Sequence, residues 1–127
     1  MKSALLDTNV LVRFLVADHA EHHKQAEKWF HEAEQGTRSI VVTSLVIAET
    51  TFVLESFYKL QRSNIARTLE VFVSQRWLKV EERSVLRTLW APYRAGLHFV
   101  DSYLLARAAL SNETILTFDK KLENFSS

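Results

Sequence analysis

Cysteine is absent from these 127 residues, which excludes both a disulfide framework and a thiolate-held metal centre and fits a reducing compartment. Proline occurs once, at Pro92, and glycine twice, at Gly36 and Gly96, so long elements joined by tight connections are expected. There is no repeat, no low-complexity tract and no Gly-rich phosphate loop, which disfavours binding of nucleoside triphosphates. The first apolar run stops at Asp7, too short for a signal peptide or a membrane span, and a cytoplasmic setting without membrane contact is expected. Charge of either sign is also not in excess. With 16 basic and 15 acidic residues the net charge is +1, so any nucleic-acid footprint must be a local patch. The densest candidate is Arg62, Arg67, Arg76, Lys79, Arg83 and Arg87. What the chain does have is 47% hydrophobic residues, enough for the core of a single domain over residues 1–127.

The apolar pattern alternates between two periods. Ser3 to Leu6 reads as a short buried strand, followed by a helix from Thr8 to Val16. Asp18 stands three residues before Glu21, at capping-box spacing, ahead of a helix whose inner face is Ala26, Trp29, Phe30 and Ala33, with Gly36 as its stop. Ile40 to Thr43 is β-branched and reads as a second strand. Helices are then expected from Leu45 to about Tyr58 and from Ser63 to about Ser74, the latter burying Ile65, Leu69, Phe72 and Val73. Trp77 to Val80 reads as a third strand, Ser84 to Arg94 as a helix broken at Pro92, and Val100 to Leu110 as a helix. Thr114 to Phe118 reads as a fourth strand and Lys120 to Asn124 as a helical turn. Short continuous apolar strands alternating with helices imply an α/β fold, a parallel sheet with helices on both faces.

Four acids stand where carboxylates are costly. Asp7 ends the run Ala4-Leu5-Leu6, Asp119 ends Ile115-Leu116-Thr117-Phe118, and Glu49 and Asp101 interrupt the apolar faces of two expected helices. In a parallel sheet, groups that follow strands meet at the carboxyl edge. Leu45, Glu49, Phe52, Val53 and Ser56 share one helical face, as do Asp101, Leu104, Leu105 and Ala108. Gathered carboxylates repel one another unless a cation compensates, and hard oxygen ligands select magnesium or manganese over zinc. Such a site suits phosphate-ester hydrolysis. Helix capping explains Asp7, Asp101 and Asp119 individually, but not Glu49, which lies inside its helix.

The motifs carry a resemblance. Leu5-Leu6-Asp7-Thr8-Asn9, Thr43-Ser44 with Ala48-Glu49, Val100-Asp101-Ser102 with Leu104-Leu105-Ala106, and Leu116 to Leu122 around Asp119 follow the order and spacing of PIN-domain ribonucleases. The size resembles VapC-type toxins of toxin–antitoxin pairs. The resemblance implies a PIN-like three-layer α/β fold with a central, mostly parallel sheet of four to five strands covered by helices on both faces. It further implies endoribonuclease cleavage of single-stranded RNA, with Asp7, Glu49, Asp101 and Asp119 as catalytic acids and ligands of Mg2+, for which Mn2+ substitutes. Thr8, Asn9 and Thr117 would support them by hydrogen bonding, leaving 5′-phosphate and 3′-hydroxyl ends. Implied partners are RNA and a small antitoxin that covers the site, in a homodimer or a hetero-oligomer. Many relatives continue into a further edge strand beyond the position of Phe125-Ser126-Ser127.

Phe57 and Tyr58, closing an apolar helix, are candidates for a partner groove, whereas Trp29, Trp77, Trp90 and Phe52 are expected in the core or an interface. His19, His22, His23 and His31 are read as surface residues and His98 as a loop residue. Two other functions use similar residues. A catalytically silent relative would bind RNA or a protein through the same surface. A phosphoacceptor or dehalogenase-type hydrolase would use Asp7, but Asp7-Thr8-Asn9 lacks the second acid such phosphatases carry two residues on.

Overall fold

The computed structural model describes residues 2–126 and shows a parallel sheet flanked by helices, the expected α/β class. The chain runs β1 (Ser3–Leu5), α1 (Thr8–Val16), α2 (Ala20–Glu34), β2 (Ser39–Val42), α3 (Ser44–Ser56), α4 (Arg62–Val73), β3 (Lys79–Val80), α5 (Arg83–Thr88), α6 (Trp90–Arg94), α7 (Phe99–Ser111) and α8 (Lys120–Ser126). β2 is the central strand. It pairs with β1 through Ser3↔Ser39, Ala4↔Ile40 and Leu5↔Val41, and with β3 through Val41↔Lys79 and Val42↔Val80. Its Ile40 and Val42 are buried on one face, and on the other Ser39 is buried and Val41 half-buried, as a strand covered on both sides requires. Around it pack Leu11 of α1, Phe30 of α2, Ile47 and Leu54 of α3, and Ile65, Leu69 and Val73 of α4.

The sheet has three strands among the described residues, not four to five. Among the described residues, 114–118 make no backbone hydrogen bond to other backbone, and Leu116 and Phe118 are 98% and fully exposed. An apolar β-branched run becomes a strand only beside a ladder partner, and this one has none. β1 is therefore an edge strand and its Leu5 is 77% exposed, against the expectation that this strand is buried. β3 shrinks to two residues.

Two boundaries moved for local reasons. The cap of α2 is His19, whose Nδ1 accepts from the His22 N–H, because Asp18 is engaged elsewhere by Arg13 and Tyr58. The break in the helix before Gly96 falls at Leu89, not Pro92. Pro92 sits in the first turn of α6, where its missing N–H goes unused. Gly36, at φ 84°, ends α2 as expected, taking the left-handed conformation that favours glycine.

Candidate active site at the carboxyl edge of the sheet

Because all three strands run the same way, their carboxyl ends share one rim, and each feeds directly into a helix. Asp7-Thr8 follows β1, Thr43-Ser44 follows β2, and Glu81-Glu82 follows β3.

Asp7 is the N-cap of α1. Its Oδ2 accepts from the Asn9 N–H at 3.1 Å, and its side chain stays exposed. Thr8, next along, is buried, and its hydroxyl donates to Glu49 Oε1 at 2.5 Å across 41 residues of sequence. That bond brings the first and second motifs together. Thr43 caps α3 by accepting from the Val46 N–H, so the helix carrying Glu49 springs straight from the rim. Glu49 was expected on a core-facing stripe; instead Leu45, Glu49, Phe52 and Ser56 form the exposed face of α3. Ile47, Thr50, Thr51 and Leu54 are its buried side. Asp101 lies half-buried in the first turn of α7, where a carboxylate is favoured by the helix dipole. Its stripe is not sheet-packing either, since the buried residues of α7 are Ser102 and Ala106. Asp119 is exposed, and its Oδ1 accepts from the N–H groups of Lys121 (2.8 Å) and Leu122 (3.3 Å). Thr117 Oγ1 accepts from the Asp119 N–H at 3.0 Å. No hydrogen bond or ion pair among the described residues ties Asp119 or Asp101 to the other two acids.

Capping therefore occupies Asp7 and Asp119, but each uses one carboxylate oxygen for it. None of the four acids has a basic partner among the described residues. Elsewhere ion pairs with arginine or lysine engage Asp18, Glu32, Glu55, Glu70, Glu82, Glu113 and Glu123. Glu55, the other acid of α3 inward of its end, pairs with Arg62 at 3.9 Å and accepts from the Tyr93 hydroxyl. Burial first, and then that hydrogen bond, hold the Tyr93 phenol protonated well past its ordinary range.

One acid at the rim was missed by sequence reasoning. Glu82 accepts from Ser44 Oγ at 2.6 Å and from the Tyr103 hydroxyl at 2.5 Å, and pairs with Arg107 at 3.6 Å. It thereby ties the ends of β2 and β3 to α7, two residues past Asp101. The Ser44 and Tyr103 hydrogen bonds hold its carboxyl below the ordinary range, against a smaller opposing effect of burial. Its backbone adopts φ 53° and ψ 41°, an uncommon conformation for a non-glycine residue. Nothing in the local sequence marks it, because its partners come from α3 and α7.

The expected basic patch is partly consumed by structure. Arg62 donates to the carbonyls of Tyr93 and Leu97 and stacks on the Tyr93 ring, and Arg83 donates to the carbonyls of Gln75 and Leu78. A cavity of about 880 Å3 lies between α6, α7, α8 and the loop after α7, and none of the four acids lines it.

A family model for the PIN domain matches residues 4–126. The chain belongs to the PIN domain family. It is similar to a VapC ribonuclease of Aquifex aeolicus (strain VF5), 32% identical over 83 residues that make up 65% of this chain and 61% of the relative. The chain thus matches somewhat less than two thirds of that protein. No solved structure matches. No helix among the described residues of this PIN domain is long and apolar enough to cross a membrane.

The four acids suit a hard cation in donor chemistry: carboxylate oxygens without a basic partner among the described residues, three of them exposed and Asp101 half-buried. No three histidine or acidic side chains among the described residues form a ready-made cage for a metal. That openness suits magnesium, which keeps several waters and takes one or two carboxylates alongside substrate phosphates. It does not suit structural zinc, which needs four closed ligands.

Proposed function

We propose that this PIN domain is a metal-dependent endoribonuclease that hydrolyses phosphodiester bonds in single-stranded RNA, and that it acts as the toxin of a type II toxin–antitoxin pair. The observation that carries the reading is the Thr8–Glu49 hydrogen bond, which joins two distant family motifs at the strand-end rim, where neither acid has a basic partner among the described residues. Asp7, Glu49, Asp101 and Asp119 would hold Mg2+ or Mn2+. A divalent cation bound there supplies charge neutralisation at the phosphodiester and acidifies water. Thr8 holds Glu49 by one oxygen, and the Asn9 N–H holds Asp7 by one, with no partner for its second oxygen among the described residues. Thr117 shapes the turn that presents Asp119.

The toxin role is supported by the surface around Glu49. Leu45, Phe52 and Phe57 are exposed on or just beyond α3, an apolar row a soluble chain has reason to cover. A small antitoxin seated on it would shield row and acid together, in a hetero-oligomer or around a homodimer, in the cytoplasm.

The test is incubation of single-stranded RNA with the full chain in Mg2+, beside Asp101→Asn. The expected outcome is cleavage to 5′-phosphate and 3′-hydroxyl ends, lost in EDTA and reduced at least about a hundredfold in the variant. Cleavage that persists in EDTA, or is equal in the variant, overturns the mechanism. The lack of a closed acidic cage favours one other reading, a silent PIN module that binds RNA or protein without cutting. Metal binding without turnover on any RNA would select it.

A further inference from the structure

A slot of about 210 Å3 lies between α1 and α2, lined by Asn9, Val10 and Arg13 from one helix and His22, Gln25 and Trp29 from the other. Pockets that enclose whole drug-sized ligands run from roughly 300 to 1,000 Å3, so this one suits a single ring system. Three properties separate it from leftover space between helices.

The first is position. The slot begins two residues from Asp7, and the Asn9 that lines it gives its backbone N–H to the Asp7 carboxylate at 3.1 Å. Asn9 and Arg13, one turn apart on α1, lead away from the rim along the same helix face. The second is chemistry. Its walls are mostly carbon, and its residues bring an indole, two amides, a guanidinium and an imidazole. Single-stranded nucleic acid is recognised by such a set: bases stack on aromatic and guanidinium planes while polar ends bond their edges. The third is pre-organisation. Arg13 Nη1 is held by Asp18 Oδ1 at 3.1 Å, and Asp18 in turn accepts from the Tyr58 hydroxyl at 2.8 Å. The His22 ring stacks on His19 with centroids 3.7 Å apart. Arginine has five N–H donors, and among the described residues Arg13 commits only one of its own, so the rest remain for a ligand. Groups already fixed lose less freedom on binding.

We propose that this slot receives one nucleobase of single-stranded RNA immediately beside the phosphodiester presented to Asp7, with Trp29 as the stacking wall and Arg13, His22 and Gln25 contacting the base edge or the adjoining phosphate. The phosphodiester placed at Asp7 rests on the ribonuclease reading; the contact of a base with the slot does not.

The test is photo-crosslinking of the full chain, in EDTA, to a single-stranded oligoribonucleotide carrying 4-thiouridine, with peptide mapping, alongside affinities measured by fluorescence anisotropy. Crosslinks are expected on the peptides bearing Asn9 to Arg13 and His22 to Trp29. The double variant His22→Ala, Gln25→Ala should bind about tenfold more weakly, and Trp29→Ala more weakly still, as loss of a stacked base predicts. Should Trp29→Ala fail to fold by circular dichroism, the double variant decides, since His22 and Gln25 are exposed. Crosslinks confined to other surfaces, unchanged affinity in the double variant, or no RNA binding at all would each overturn the assignment. Cleaving enzyme with an indifferent slot removes only this inference. A slot that crosslinks on a chain that never cleaves removes only the nuclease reading.

Discussion

Asp7 and Asp119 stand in matching local settings: each closes an apolar run, each starts a helix, and each accepts backbone N–H with one oxygen, Asp7 from Asn9 and Asp119 from Lys121 and Leu122. Around Asp7 the run is a strand paired to β2, the next residue is buried, and its hydroxyl reaches Glu49. Around Asp119 the run is unpaired among the described residues, its Leu116 and Phe118 face solvent, and no hydrogen bond among those residues joins the acid to the other three. Identical local chemistry thus yields a built rim at one end of the chain and a bare loop at the other. The difference is the ladder partner, because backbone groups that meet another strand are held in place and those that meet water are not.

The sharpest way to break this comparison is to shorten the residue before each acid. Leu6 is 8% exposed, so Leu6→Ala should cost about 2–4 kcal/mol in urea unfolding. Phe118→Ala should stay within about 0.5 kcal/mol of the parent, because the ring is fully exposed. A loss at Phe118 equal to that at Leu6 would mean that residues 114–118 pack into the sheet.

A smaller effect sharpens the rim side. Thr8→Val keeps shape and burial but removes the donor to Glu49, and should cost about 1 kcal/mol in stability. If Glu49 serves a cation, Mg2+-dependent RNA cleavage should fall about tenfold or more, the usual cost of freeing a ligand's orienting partner. Cleavage at the parental rate would show that this bond orients nothing used in the reaction.

The smallest effect concerns pH. Glu82 is held below the ordinary carboxyl range by Ser44 and then Tyr103, so its contribution is present above pH 4.5 and is lost as pH falls through the lower folded value. Because the side chain is 35% exposed, solvent screening keeps that contribution below about 1 kcal/mol. Glu82→Gln should therefore be slightly less stable than the parent at neutral pH, and the gap should close below pH 4.5. A gap that widens on acidification would reverse the sign and discard the account.

Much of this was legible before any coordinates. α1 runs from Thr8 to Val16 as read, α4 buries Ile65, Leu69, Phe72 and Val73 as read, and Gly36 stops α2, because periodicity and turn chemistry are local. The motif acids were also legible, as residues at strand ends and in a helix. Their surroundings were not. The reading put Glu49 on the buried side of α3, but that helix is apolar nearly all round, so periodicity did not say which face meets the core. Glu82 was invisible for a different reason: its role comes from Ser44, Tyr103 and Arg107, which lie 38, 21 and 25 residues away in sequence.

By itself the sequence determined the α/β class, most helices, the inner faces of α2 and α4, and the four family motifs, since each depends on spacing within a few residues. Only the tertiary structure decided that the sheet has three strands among the described residues, that Glu49 meets Thr8, and that Asp7 and Glu49 are exposed at the ends of the strands. Strand pairing and side-chain meeting depend on which distant segments come into contact, and no short window of residues encodes that.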